Sequence, residues 1–215
     1  MVRLGLRFHD VGANELDECM PLSLKFGIWL IGFMALVSCA SKNVPSNPDD
    51  ACDIFEEHED WYDAMASTRA KYGIPISAQL AIIRQESSFR HQARPPKTYF
   101  LFIPTGRVSS AYGYAQALDG TWEDYQKATG NWGADRDDMD DASDFIGWYT
   151  RKTARLHNIG MRDVRSHYIA YYVGHAGYGR GKWKNNAWLK NTANKVQNQA
   201  DRYYRQLLQC ENQFR

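Results

Sequence analysis

Glu86 is the side chain around which chemistry is most readily built. On a helix turning about 100° per residue it lies about 40° from Ile82 and 60° from Ile83, at the border of an apolar stripe carrying Ile76, Leu80 and Ile83. A carboxyl placed there is half buried. The apolar neighbours Ile82, Ile83 and Phe89 disfavour its charged form, and so does a place in the last helical turn, where the helix dipole is negative. Its pKa is therefore expected above the ordinary value of about 4.3, so that it holds a proton near neutrality and can act as acid and then as base. Asp119, Glu123 and Asp124 read instead as an exposed helix start. His157, His167 and His175 stand in no His-Glu-x-x-His arrangement and beside no cysteine pair, so neither a metal nor a cofactor is expected.

The elements that must hold Glu86 are mostly helical. Ile54, Phe55, Trp61, Met65 and Ala66 are loosely spaced for a first helix over 50–72, which Gly73 stops. Pro75 suits the first turn of the helix that carries Glu86. Prolines 95, 96 and 104 punctuate the next stretch, where Tyr99-Phe100-Leu101-Phe102-Ile103 followed by Pro104-Thr105-Gly106 predicts a small β-hairpin, a lip beside a cleft. Helical patterns resume over 120–128, 138–157, 163–174 and 186–210, with no internal repeat. The fold class is mostly α with one minor β element.

The chain of 215 residues, 44% hydrophobic and 24% charged, suits one globular domain with appendages. A net charge of +1 and the lack of any nucleic-acid motif argue against DNA or RNA as a partner. Lys25 precedes an uncharged apolar run over 26–37, too short for a membrane span of roughly 20 residues but suited to a signal-peptide core. Leu36-Val37-Ser38-Cys39 resembles a bacterial lipobox, which implies acylation at Cys39 as the first mature residue. Ala40, rather than aspartate, after it implies sorting to the outer membrane, on the periplasmic side of the cell envelope. Asp10, Glu15, Asp17 and Glu18 are the wrong charges for a basic leader, so translation is expected to start at Met20 and residues 1–19 to be a non-structural extension. Residues 20–38 are then the signal peptide, 39–50, with Pro45 and Pro48, a lipidated tether, and 51–215 the domain. Cys52 and Cys210 remain in this exported domain, and a disulfide between them would stabilise it by about 4 kcal/mol on the chain-entropy account; two buried free thiols are the alternative.

Three short patterns lie in order along 73–183. Glu86-Ser87-Ser88-Phe89 ends a helix, Gly113-Tyr114-Ala115-Gln116 precedes Thr121-Trp122, and Ala170-Tyr171-Tyr172-Val173-Gly174 follows. Together this span resembles the soluble lytic transglycosylases of glycoside hydrolase family 23, which share a goose-type lysozyme-like fold. The first pattern matches the family's Glu-Ser-x-Phe throughout. The second keeps the glycine and glutamine of Gly-Leu-Met-Gln, and the third has Tyr172 where the family has asparagine. The resemblance implies Glu86 as the catalytic acid and base, Tyr171 as the tyrosine that hydrogen-bonds it, and Ser87, Tyr114, Gln116 and Tyr172 as residues at the glycan, with His175 open as a stand-in for the asparagine. Peptidoglycan glycan strands are the implied partner, with the membrane reached through the lipid. The implied reaction cleaves the bond between N-acetylmuramic acid and N-acetylglucosamine without water and leaves 1,6-anhydro ends, whereas most glycosidases use two carboxylates. A hydrolytic muramidase of the same fold and an inactive peptidoglycan-binding envelope lipoprotein are the alternatives.

Overall fold

The computed structural model describes residues 44–215, so the expected extension over 1–19, the signal peptide over 20–38 and Cys39 lie outside the described residues. Helices α1 (Ala51–Glu57), α2 (Glu59–Tyr72) and α3 (Ile76–Ser87) come first, and a hairpin of β1 (Lys97–Phe100) and β2 (Ile103–Arg107) follows. Then come α4 (Asp119–Thr129), α5 (Met139–His157), α6 (Val164–Val173), the short α7 (His175–Gly179), α8 (Ala187–Cys210) and a 3-10 turn (Glu211–Gln213). The fold is mostly helical with one two-stranded antiparallel sheet, as the periodicity predicts.

Apolar patterning makes α3 the centre of the molecule. From Ile76 to Ile83 every side chain of it is buried, and it packs against α2, α5 and α8. A helix apolar all round belongs inside a core. Its one internal amide, Gln79, is satisfied: Nε2 donates to the carbonyls of Met65 (3.0 Å) and Ile74 (3.3 Å), and Oε1 accepts from Ser143 of α5 (2.5 Å). An unpaired amide at that depth would cost about 1–3 kcal/mol, so the three helices must keep this register. Between α2 and α5 the backbones meet at Gly147, where a Cβ would stand 2.4 Å from the Tyr72 ring.

Side-chain caps set several helix starts. Asp50, Asp138, Asp163 and Asn186 each accept a backbone N–H from the first turn of α1, α5, α6 and α8 respectively. Gly73 and Gly130 end α2 and α4 in the left-handed conformation.

One expectation is corrected. The helix expected over 50–72 is two helices, because His58 leaves helical geometry (φ −139°, ψ 72°) and stacks on Trp61; the break lets Ile54 and Phe55 reach the same core as Trp61, Tyr62 and Met65. The expected hairpin is present; it turns at Leu101 and Phe102, inside the aromatic run, with Pro104-Thr105-Gly106 in the second strand. Leu101 takes φ 57°, and Thr105 Oγ1 bonds across to Thr98, fixing Lys97 opposite Arg107. Of the segment expected as a tether over 39–50, residues 45–50 lie against the domain. Pro45 is buried, Ser46 bonds to Glu57, Asp49 pairs with Arg84 (2.7 Å), and Tyr203 donates to the Pro48 carbonyl. Cys52 and Cys210 form the expected disulfide, joining α1 to the end of α8 with Cα atoms 6.0 Å apart.

Candidate functional site

Glu86 lies one residue from the end of α3, just before an abrupt exit. Ser88 and Phe89 are both left-handed, with φ 52° and 62°, a conformation that costs a residue with a Cβ. Burial of Phe89 against Trp61 (5.9 Å between rings) holds the turn closed. The chain that leaves it is bound to the loop over 111–117: Ala93 O accepts from Gly113 N (3.1 Å) and from Gln116 Nε2 (2.8 Å). Gly113 is needed there, because a Cβ on it would stand 1.9 Å from the Arg136 carbonyl oxygen at φ +77°. The first two sequence patterns thus form one unit.

Helix α6 closes the site from the other side. Tyr168 hydrogen-bonds the Glu86 carboxyl, and Tyr171, one turn on, donates to the Ala115 carbonyl at 2.6 Å. Tyr171 is fully buried and close enough for the Glu86 charge to act on it, but its hydroxyl is on the loop and not on the carboxyl as the resemblance implies. Behind it stands a train of rings: Tyr171 meets Tyr149 edge-on at 5.0 Å, and His175 stacks on Tyr149 at 4.2 Å. His175 Nε2 contacts Thr153 Oγ1 (2.9 Å), and burial lowers its pKa to about 4, so it is neutral at ordinary pH. It braces the tyrosines. Tyr168 was not singled out from sequence, although three residues before Tyr171 it necessarily shares that face of α6.

The electrostatics of Glu86 follow from this enclosure. The residue is 6% exposed, and desolvation pushes its pKa up to about 8 against the opposing hydrogen bond from Tyr168. Burial and that one hydroxyl are the influences that shift it; no second carboxylate is among them. The carboxyl is consequently protonated at neutral pH.

The remaining expected site residues divide. Gln116 is buried at φ 48°, with Nε2 satisfied by Ala93 and Gly113 and Oε1 lacking a protein partner. Ser87 is fully buried and donates to the Ile83 carbonyl (3.1 Å), so its hydroxyl serves the helix end. Tyr114 is buried edge-on against Trp61 at 5.5 Å, a packing position. Tyr172 is half-buried with its ring 5.5 Å from Trp188. Trp122 packs against Tyr125 and Phe145.

A buried, protonated glutamate at the end of a central helix, hydrogen-bonded by Tyr168 of a second helix and beside a glycine-glutamine loop, defines a lysozyme-like domain. A family model described as the transglycosylase SLT domain matches residues 27–210, most of the chain. The chain belongs to the transglycosylase SLT domain family, whose general activity is transglycosylation of peptidoglycan. The match extends past the motif-bearing span on both sides, taking in α1, α2 and α8. No curated protein matches the chain.

Proposed function

We propose that this protein is a lytic transglycosylase that cuts the β-1,4 bond between N-acetylmuramic acid and N-acetylglucosamine with Glu86 as the single acid and base, in cell-wall remodelling or turnover. The observation that carries this reading is the buried Glu86 carboxyl with its pKa near 8 and no second carboxylate acting on it. The protonated carboxyl gives its proton to the bridging oxygen as the bond to the anomeric carbon breaks and positive charge develops on the muramoyl ring. The Glu86 carboxylate left behind accepts the Tyr168 hydroxyl hydrogen bond, then takes the proton of the muramoyl 6-hydroxyl as that oxygen bonds to the anomeric carbon. The acid is regenerated, no water is consumed, and the product ends in a 1,6-anhydro ring. A muramidase would need a carboxylate to activate water, and none is among the groups that shift Glu86. Tyr171 holds Ala115, and with it Gln116, whose orphan Oε1 is suited to accept an N–H or O–H from the glycan. The deciding experiment is mass spectrometry of muropeptides released from purified sacculi. Anhydromuramoyl ends are expected; reducing ends would establish a muramidase, and no release the binding-lipoprotein alternative.

The same reading fixes a pH dependence. Because Glu86 must begin protonated, kcat/KM is expected to hold through neutrality and fall above about pH 8. Tyr168→Phe removes the hydrogen bond that lowers this pKa, so the alkaline limb should move to higher pH while kcat drops. An unshifted limb in that variant would mean that the titrating group is not Glu86.

We further propose that Cys39 carries lipid and holds the domain on the periplasmic side of the outer membrane. The described chain is docked on the domain from Pro45 onward, six residues after Cys39 in the sequence. Metabolic labelling with a palmitate analogue should mark the protein and not its Cys39→Ser variant.

A further inference from the structure

The hairpin between the Glu86 helix end and the Gly113 loop carries a polarity gradient that the glycan chemistry leaves unused. At its turn Leu101 and Phe102 are 77% and 96% exposed, and Tyr99 and Ile103 beside them are also exposed. Large apolar side chains grouped in the open at one tip mark an interaction site. One step down, Thr98 and Thr105 bond to each other through their hydroxyls (3.1 Å). Below them Lys97 and Arg107 face each other in register, and Arg107 is steadied by the Pro95 carbonyl (2.6 Å). At ~3.3 Å per residue this cation pair, four to five residues from Leu101 and Phe102, stands about 13–16 Å behind the tip. Arg94 adds charge at the base, stacked 4.0 Å over Tyr112. From residue 87 to 118 there is no aspartate or glutamate, although the chain as a whole carries only +1.

We propose that this hairpin is a membrane-contacting element: its tip enters the interfacial region of a lipid bilayer while Lys97 and Arg107 meet anionic headgroups. The dimensions agree, since interfacial segments bury their apolar face by about 5–10 Å and the cations then fall at headgroup level. The chemistry selects a bilayer over the other occupants. A glycan strand presents hydroxyls and amides, to which Leu101, Phe102 and Ile103 offer no hydrogen bond. A protein would need a socket for a convex tip, whereas acyl chains deform around one. The proposal does not depend on lipidation at Cys39. Because the hairpin joins the segments that bear Glu86 and Gln116, its insertion places the cleft at the bilayer surface and directs cutting to the strands nearest the membrane.

The test is hydrogen–deuterium exchange by mass spectrometry on the full chain, read at the peptide covering residues 97–108, with vesicles of phosphatidylcholine alone or mixed with phosphatidylglycerol. This local readout is blind to vesicle binding by any other segment. Exchange at the tip should slow several-fold with the anionic vesicles and little with the neutral ones. The slowing should be lost in the Leu101→Asp/Phe102→Asp variant and weakened in Lys97→Glu/Arg107→Glu, with the exchange of the helical core unchanged. No slowing with either vesicle would overturn the proposal. So would slowing produced only by soluble glycan strands, which would make the hairpin a substrate lip, or only by a vesicle-free envelope protein extract, which would make it a protein-docking element.

Discussion

Glu86→Gln is expected to reduce release of anhydromuropeptides from sacculi by at least about 1,000-fold while making the protein more stable. The loss of rate follows from the two proton transfers that the carboxyl performs, since one positioned acid–base group commonly contributes 10²–10⁴ and no second carboxylate acts at the site to substitute. The gain in stability follows from linkage. Burial raises the folded pKa to about 8 from an ordinary 4.5, so between those values the unfolded chain releases a proton that the folded chain keeps. Glu86 therefore favours the fold most below pH 4.5, and that advantage is lost as pH rises through 8. At pH 7 the difference amounts to about 3 kcal/mol, from about 1.4 kcal/mol for each pKa unit. A glutamine does not titrate and can keep the Tyr168 hydroxyl as a partner. Melting temperatures of the two proteins should thus converge near pH 4 and separate by several degrees at pH 8, with the variant higher. A variant that loses activity and also melts lower at every pH would point to a packing role for Glu86 and remove the main support for the mechanism.

The helices were legible because their signals are local. Asp138, Asp163 and Asn186 stand at the caps of α5, α6 and α8 as the periodicity predicts, and Gly73 ends α2. The raised pKa of Glu86 was equally readable, because a helix places it beside Ile82 and Ile83 wherever that helix lies. What the sequence hid was set by tertiary contacts. Periodicity does not register one residue leaving helical geometry, so the break at His58 was missed. The hairpin turns at Leu101 and Phe102, ahead of Pro104-Thr105-Gly106, because cross-strand pairing of Lys97 with Arg107 and Thr98 with Gly106, with the Thr105 hydroxyl bonded to that of Thr98, fixes the register. In the site the resemblance implied Tyr171 on the carboxyl, whereas its hydroxyl is on the Ala115 carbonyl. Tyr168 and Tyr171 share one face, and only the docking of α6 on α3 and on the Ala115 loop assigns one to Glu86 and the other to the backbone. Ser87 illustrates the reverse case. A motif position adjacent to the acid looks functional in sequence, yet its hydroxyl closes the helix through Ile83.

Removing the Cys52–Cys210 disulfide is expected to give the largest loss of stability of any change away from Glu86's surroundings. The bridge spans 158 residues of sequence, nearly the whole domain, and constraint of so long a loop in the unfolded chain stabilises the fold by about 4–5 kcal/mol. For a domain of this size that corresponds to a fall in melting temperature of roughly 10–15 °C. The fold itself should survive. The junction of α1 with α8 is also held by Gln206, whose Oε1 accepts from Ala51 N and whose Nε2 reaches Asp49 O and Asp50, and by Tyr203 on Pro48. Arg69 and Tyr62 hold Glu211 just beyond the bridge. None of these bonds touches Glu86, Tyr168 or the Ala115 loop, so activity well below the transition should match that of the oxidised protein. The Cys52→Ser/Cys210→Ser double variant, compared with the parent by thermal denaturation, isolates the effect from Cys39. A fall of only a degree or two would mean that the unfolded chain already keeps α1 near α8, the condition under which a cross-link has little entropy left to remove. Loss of the folded state outright would mean instead that the hydrogen bonds around Gln206 form only when the disulfide holds them in register.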